Sequence, residues 1–419
     1  MKYRPRYLFY LLSFLGFVFS FCLIFHTNGE ALKPFFYYYK DYCMDFYNQI
    51  LYVRDPQHVY ESSPFASFPP FAYILYYILG KSIAPSVITE EGGRGLRDNL
   101  LGMNLYVVYT VILAVLFVFA VQLFTERMKK GEQLGLLMLL LFSAPFIGMF
   151  ERGNSVFLVL ILLFLFLYLK DSSKWWKREA ALWLLAAAAA MKLYPAVFGL
   201  LYLREKRWKE AARLTLYGLF LVFAPFPFFG GIQGMKALLY NYKFITADFM
   251  LGGDLRSVAY LTALIGDWIG LPEAAMFAIG EKLAWLFFAA SVVCAVLQEN
   301  LWKRLVLLSG IMIFFPSWSG SYTLIYLALP LVLFLVQHIG KNEDSSKEET
   351  GSKKMRQLGE WRYEVLFACV FTMVLWNPSW SQKIFHSEFA YTIRILGAWG
   401  LVLNVMADTL IEVFKKKTG

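Results

Sequence analysis

Charge is scarce in this chain. Only 17% of its 419 residues are Asp, Glu, Lys or Arg while 59% are hydrophobic, a balance far outside that of soluble globular domains. Cysteine is scarcer still: Cys22, Cys43, Cys294 and Cys369 are scattered, mostly within apolar runs, with no CxxC pair and no metal-ligand spacing. Neither a disulfide framework nor a zinc site is indicated. There is no P-loop, no GxGxxG opening a nucleotide domain and no HExxH, which argues against a cytosolic nucleotide-driven enzyme. No internal repeat of the kind many transporters carry is visible. No clear ligand cluster asks for a metal, so no cofactor is expected, with a divalent metal left open.

What the chain does have is apolar length. Several runs exceed the roughly 20 residues that cross a bilayer core, and aromatics, at 19%, are plentiful enough for interfacial belts. The first run, YLFYLLSFLGFVFSFCLIF at 7–25, follows MKYRPR and has no small-residue cleavage site behind it, so it reads as a retained transmembrane helix. The net charge of +10 sits in short loops between runs, which sets orientation in a membrane and implies no nucleic-acid partner.

With the basic amino terminus taken as cytoplasmic, helices fall at about 7–26, 103–124, 134–150, 154–169, 179–192, 193–203, 214–229, 275–297, 305–316, 322–338, 363–379 and 391–414. This path of about twelve segments puts 26 of the 40 Lys and Arg on one side and 11 in the opposite loops. The expectation is an all-α polytopic protein of the cell membrane with both termini cytoplasmic. Two large outer loops result, 27–102 and 230–274. PPFAYILYYILGKSIA at 69–84 must then lie along the outer surface, since a crossing there would place RMKK outside. The short segments 179–192 and 193–203 form a hairpin with its tip at MKLYP, where Pro195 disfavours helix at Tyr194; one long kinked helix is the alternative. The chain divides as a membrane-embedded core at 1–340, a charged cytoplasmic linker at 341–362 and a terminal helix pair at 363–419.

Candidate chemistry gathers in the outer loops. Asp41, Asp45, Asp55 and Glu61 lie in the first, and Asp55 and Glu61 read by default as solvated charges. Asp45 stands in MDFYNQILYV, where Phe46, Ile50 and Val53 recur at helical spacing. If that face packs on the bilayer surface, Asp45 is held at the membrane boundary, where partial desolvation suits a base. Arg152 and Asn154, in FERGNS, sit at an outer helix junction and suit an anionic or hydroxylated headgroup, though ordinary helix-end polarity looks the same. Lys192 lies in an alanine-rich apolar run, where insertion costs about 2.5 to 3.5 kcal/mol, and reads as a phosphate ligand or a snorkelling lysine. Arg256, near a Gly pair in the second outer loop, suits phosphate or sugar recognition. FFPSWSGSYTLIYLALP at 314–330 forms an outer turn whose Trp318 and Tyr322 suit sugar stacking or an interfacial belt. His386 is a lone outer histidine and reads as structural.

Taken in order, DF with aromatics after the first helix, F-x-x-FPP, GN opening a helix, and A-x-x-A-x-x-x-K-L-Y-P followed by REKRW resemble glycosyltransferase family 87 of the GT-C superfamily, from about residue 40 to 215 and weakly to 330. The resemblance implies a GT-C fold and transfer of a hexose, most often mannose, from a polyprenyl-phosphate sugar to a lipid or glycan acceptor on the extracytoplasmic face, with inversion. By position, Asp45 would be the general base. Lys192, Arg152, Asn154, Arg256 and Tyr194 would face the donor, and Asp41, Tyr47, Trp318 and Tyr322 the acceptor. One departure stands out: mannosyltransferases of the family tend to carry histidine in the turn where this chain has Gly320 and Ser321, which leaves sugar and acceptor open. A transporter or flippase, and a polymerase of lipid-linked glycans, are the competing classes. The charges favour surface chemistry, because Lys192 is the main exception to their gathering in loops.

The topology is directly testable. In a cysteine-free background, Lys81→Cys is expected to react with a membrane-impermeant maleimide from the outer face, and Lys209→Cys only after permeabilisation. Labelling of both from one side would overturn the assignment.

Overall fold

The computed structural model describes residues 7–33, 41–83, 92–248, 256–317, 320–340, 350–385 and 389–418. Among the described residues the chain is helical throughout and contains no strand. In chain order the helices are α1 (Tyr7–His26), α2 (Met44–Tyr52), α3 (Pro70–Gly80), α4 (Gly93–Asp98), α5 (Leu100–Thr125), α6 (Lys130–Leu141), α7 (Ala144–Arg152), α8 (Val156–Leu169), α9 (Trp175–Met191) and α10 (Leu200–Arg204). They continue as α11 (Trp208–Phe223), α12 (Gly231–Asp248), α13 (Val258–Trp268), α14 (Glu273–Leu297), α15 (Leu301–Phe314), α16 (Ala328–Gly340), α17 (Thr350–Phe371), α18 (Ser379–Phe385) and α19 (Phe389–Thr418).

Each of the twelve expected segments meets a helix, but their lengths differ from expectation. Among the described residues, five helices are long and apolar enough to cross a membrane, or six if α6 and α7, bent by 51° at their break, form one span. Several of the others are short and enclosed by protein. α8, with 14 residues, spans about 21 Å at 1.5 Å per residue, and nine of its residues are buried while Tyr168 near its end is exposed. α15 is buried from Arg304 to Phe314. A helix that is apolar all round and packed on every side has no lipid-facing stripe to show, so hydropathy finds it without revealing what surrounds it. The segment after FPP forms α3, 11 residues long and far short of a bilayer core.

The packing divides the chain into two units, 1–37 with 121–148 and 253–419, and 38–120 with 149–252. Within 341–362 the chain is helical from Thr350, where α17 begins, while 341–349 lie outside the described residues. The terminal helices pack within their unit. The buried Glu364 of α17 accepts hydrogen bonds from the backbone N–H groups of Leu8, at 3.0 Å, and Phe9, at 3.2 Å, satisfying two donors at the start of α1 that have no partner within the helix. Trp399 of α19 stacks on Phe314 of α15 at 3.9 Å, and Lys303 reaches Asp408 at 2.8 Å.

In the other unit the hairpin of 179–203 is present. α9 stops at Met191 because Pro195 offers no N–H and restricts the residue before it. A 3-10 turn at Tyr194–Gly199 and α10 then return the chain. Lys170 meets Glu205 at 2.7 Å and Arg207 meets Asp171 at 2.9 Å, so both feet of the hairpin stand together. α11 packs along α9, with Tyr217 stacked on Trp183 at 4.2 Å and Arg213 paired with Glu179 at 2.5 Å.

Hydrogen bonds to a charged group contribute about 1.5–3 kcal/mol. Glu364→Leu is therefore expected to destabilise the detergent-solubilised protein by about 2 kcal/mol, with Glu364→Gln costing less because it keeps an acceptor. An unchanged melting temperature in Glu364→Leu would show that water replaces the carboxylate.

Candidate active site

The site in the unit formed by 38–120 and 149–252 is assembled from α2, the α7–α8 junction and the tip of the hairpin. α2 starts from Cys43, whose backbone is left-handed at φ 58° and whose N–H donates to the Glu151 carbonyl at 2.7 Å. Burial pushes the Cys43 thiol up to about 11, so it is no nucleophile at neutral pH. Asp45 occupies the first turn of α2, where the helix dipole favours a carboxylate. The face that the sequence placed on the bilayer packs on protein instead. Phe46, Tyr47, Ile50 and Val53 are all buried, and Phe46 meets Tyr76, Tyr106 and Tyr109 at ring distances of 6.1, 5.1 and 5.1 Å.

Opposite α2, the chain leaves α7 at Arg152 and enters α8 after Asn154 and Ser155. Gly153 makes the turn at φ +70°, and a Cβ there would lie 2.9 Å from that of Phe46. Only glycine fits both conditions. The turn aims the residues on either side of it at one carboxylate. Arg152 Nη2 donates to Asp45 Oδ1 at 2.8 Å, and Asn154 Nδ2 to Asp45 Oδ2 at 2.7 Å. Arg152 Nη1 bonds Asp41, so one guanidinium joins two acids. Asn154 is fixed in turn, since its Oδ1 accepts from the Val156 N–H at 3.1 Å.

Lys192 closes the group. Its ammonium stands 3.8 Å from the ring centroid of Phe68, and Asp45 is the charge that acts on it. A cation on an aromatic face offsets part of its lost hydration. Phe68 belongs to the FASFPP stretch, which the buried Asn241 pins by donating to the carbonyls of Tyr60, Ser63 and Ala66 at 2.8, 3.2 and 2.9 Å.

Thus Asp41, Asp45, Arg152, Asn154 and Lys192 converge. Tyr194, at the hairpin tip, is exposed. Tyr47 is only 1% exposed and donates to the Gly102 carbonyl at 3.1 Å, which commits it to the core rather than to an acceptor. Asp55 and Glu61 behave as expected at a surface: Asp55 is exposed, and its pairing with His58 at 2.8 Å holds its carboxyl below the usual range. Arg256 and Tyr322 belong to the other unit, while Trp318 and His386 lie outside the described residues. Among the described residues no group of three His, Cys, Asp or Glu side chains forms a metal cage. Sequence reasoning missed Asn241, Phe68 as a cation's partner, and the pairing of Arg152 with Asp45. The FPP motif marks Phe68, but no local signal points to Asn241 or joins residues 107 apart.

The sequence model of glycosyltransferase family 87 matches residues 65–316, more than half of the chain. The chain belongs to glycosyltransferase family 87. A search of curated proteins finds no match. The family match takes in Phe68, Arg152, Asn154, Lys192, Asn241 and Arg256, and begins after Asp41 and Asp45. In this membrane glycosyltransferase, Gly153 is the backbone condition for the whole group. Gly153→Ala is expected to cost about 1–3 kcal/mol through left-handed strain and the clash with Phe46. A melting temperature equal to that of the parent protein would refute this.

Proposed function

We propose that this family 87 glycosyltransferase moves a hexose, with mannose as first choice, from a polyprenyl-phosphate sugar to a hydroxyl of a lipid or glycan acceptor on the extracytoplasmic face of the cell membrane. The observation that carries this reading is Asp45, a carboxylate oriented through both oxygens by Arg152 and Asn154 with Lys192 beside it. The reading keeps a GT-C architecture with both termini cytoplasmic, which the charge distribution of the loops supports.

Mechanistically, one in-line displacement suffices. The acceptor oxygen forms a bond to the anomeric carbon on the face opposite the phosphate, and the carbon–oxygen bond to the phosphate breaks with its electron pair. The acceptor proton passes to Asp45, and configuration inverts. Both Asp45 oxygens act as hydrogen-bond acceptors, the pattern of the ionised form, and each keeps a second lone pair for the incoming proton. In a displacement with oxocarbenium character the hydroxyl gains acidity as the new bond forms, so an ion-paired carboxylate serves as base.

Arg152 then has a different task from the one its type suggests. Engaged by Asp41 and Asp45, it positions the base, and Lys192 is left as the cation of this group for the leaving phosphate. Asp41, at the more exposed side of Arg152, suits an acceptor hydroxyl. Tyr194, Asn154 and Arg256 remain as donor-side groups, and Trp318 and Tyr322 as acceptor-side aromatics.

The test uses purified protein and a panel of polyprenyl-phosphate sugars. Asp45→Asn is expected to lower transfer by about 10² to 10⁴-fold, the usual contribution of a positioned base, while donor binding persists. Transfer that survives in Asp45→Asn removes Asp45 as the base. Movement of the lipid-linked sugar across vesicles without transfer would sink the enzyme reading in favour of a transporter.

A further inference from the structure

A groove of about 620 Å³ lies between α1 and α6, within the unit formed by 1–37, 121–148 and 253–419. Tyr10, Ser13, Phe14 and Phe17 line it from α1. Gly135, Met138 and Leu139 of α6, with Phe142 just after it, line the other side. Both sets follow the three-and-four spacing of a single helix face, so one stripe of each helix is given over to the groove. Its floor is Phe371 and Met373, at the end of α17 and just beyond. The wall is apolar but for two hydroxyls, and that of the buried Ser13 accepts from the Thr372 hydroxyl at 3.5 Å.

Both ends of the groove are fixed by contacts. The Tyr10 hydroxyl donates to the Glu132 carbonyl, in the first turn of α6, at 3.5 Å, so the two helices start from the same end. Beyond that contact they part, and a Cβ on Gly135 would find nothing within 4 Å. At the far end the chain bends by 51° between α6 and α7. There Leu23 and Ile24 of α1 and Ile147 of α7 pack on the cluster of Ala144, Met373 and Leu375. α1 is held on its other side: a Cβ on Gly16 would run into the Thr372 methyl, and the Ser20 hydroxyl donates to the Met373 carbonyl at 2.5 Å. The groove therefore stays open along its length, and Phe14, Phe17, Met138 and Phe142 are exposed in it.

We propose that this groove binds one acyl chain of an anionic phospholipid, with the lipid phosphate at Arg127, Lys129 and Lys130. An apolar hollow stays dry, and one of about 150 Å³ already takes up benzene, so a groove of this volume suits hydrocarbon of acyl-chain size. Depth selects the kind of chain. The 12 residues of α6 rise about 18 Å, close to the roughly 15 Å of one leaflet of the bilayer core. The Ala144 cluster then closes the groove, which fits a chain of leaflet length and stops a long polyprenyl chain. Charge selects the headgroup. Arg127, Lys129 and Lys130 are exposed where α6 begins, and outnumber the neighbouring acids Glu126 and Glu132. The sequence ahead of α1, MKYRPR, adds Lys2, Arg4 and Arg6 close to Tyr7. No side chain caps the start of α6, so its backbone N–H groups are open to a phosphate as well. Basic clusters of this kind at a membrane surface collect anionic lipids. The loop charges assign this end to the cytoplasm, opposite to the extracytoplasmic donor chemistry proposed above. The lipid site needs a membrane and no sugar transfer.

The experiment places the full-length protein in phosphatidylcholine nanodiscs with a trace of phosphatidylglycerol that carries a diazirine in one acyl chain, and maps the cross-linked peptides by mass spectrometry. Labelling is expected on the segments of α1 and α6 that hold Phe14, Phe17 and Met138. Unlabelled phosphatidylglycerol is expected to displace the probe about tenfold better than phosphatidylcholine with the same chains. Gly135→Phe fills the groove from a position with open space around it and is expected to lower the labelling at least tenfold. Lys129→Gln combined with Lys130→Gln changes only exposed side chains, is expected to bring the two lipids to parity, and serves where Gly135→Phe fails to fold. Labelling equal to the parent's in folded Gly135→Phe would overturn the groove as the site, as would labelling spread evenly over α5 and α11, which marks bulk bilayer contact. Equal displacement by the two lipids in the parent would overturn the anionic ligand. Polyprenyl monophosphate displacing the probe better than phosphatidylglycerol would overturn it too, by making the groove a seat for a prenyl chain. A parent that transfers no sugar yet labels in the groove loses the function and keeps the lipid site.

Discussion

One guanidinium between two carboxylates holds the candidate active site together. Arg152 meets Asp41 and Asp45 at once, and breaking such a partly buried pair by removing one partner leaves an uncompensated charge. Much of the local backbone serves that meeting. Cys43 takes a left-handed conformation to start α2 against Glu151, and Gly153 takes another to end α7. Both positions are strained for ordinary residues, and strain persists only where surrounding contacts over-determine it. Here the contacts are the Phe46 ring cluster below and the ion pair above. Asn154 extends the same logic, since its amide is held by the Val156 N–H before it addresses Asp45.

The ends of the helices show a contrast. Where hairpin feet gather, the cations Lys170 and Arg207 are met by three anions, Asp171, Glu205 and Glu210. At the helix ends around Lys303 and Arg362 the anions Asp408 and Glu412 match the two cations. Such networks brace helix ends and leave no surplus of positive charge for an anionic ligand. A cation on an aromatic face, as with Lys192 on Phe68, is a different arrangement.

The legible features of the sequence were those with a local cause. Pro195 ends α9 through its missing N–H, and the three-and-four spacing of Phe46, Ile50 and Val53 gives the buried face of α2. That spacing says which side is buried and not by what, so lipid and protein were indistinguishable in it. The helix from Thr350 was hidden for the opposite reason. TGSKKMRQLGEWR is rich in Lys, Met, Arg, Gln and Glu, which form helices readily but register as a linker when only hydropathy and charge are read. Tyr47 was placed toward the acceptor by the family resemblance alone, whereas its hydroxyl closes onto Gly102 inside the unit. Arg152 was legible as a cation at a helix junction; its partners, more than a hundred residues away in sequence, were not.

Charge balance at Asp45 constrains what the group can bind. Its charged members are the acids Asp41 and Asp45, with Glu151 beside them, and the cations Arg152 and Lys192, so the arrangement has no surplus of positive charge before any substrate arrives. A phosphate monoester leaving group arrives with about two negative charges and gains more exposed charge on its bridging oxygen as the sugar departs. Lys192 alone, already partly offset by Asp45, matches only a fraction of that. If Asp45 is the base as proposed, a phosphate leaving group calls for cations beyond those that orient it. The limit follows from electrostatics: a group that must hold a carboxylate as base is a poor place to accumulate the positive charge a phosphate needs, because each added cation there would draw the base into another ion pair.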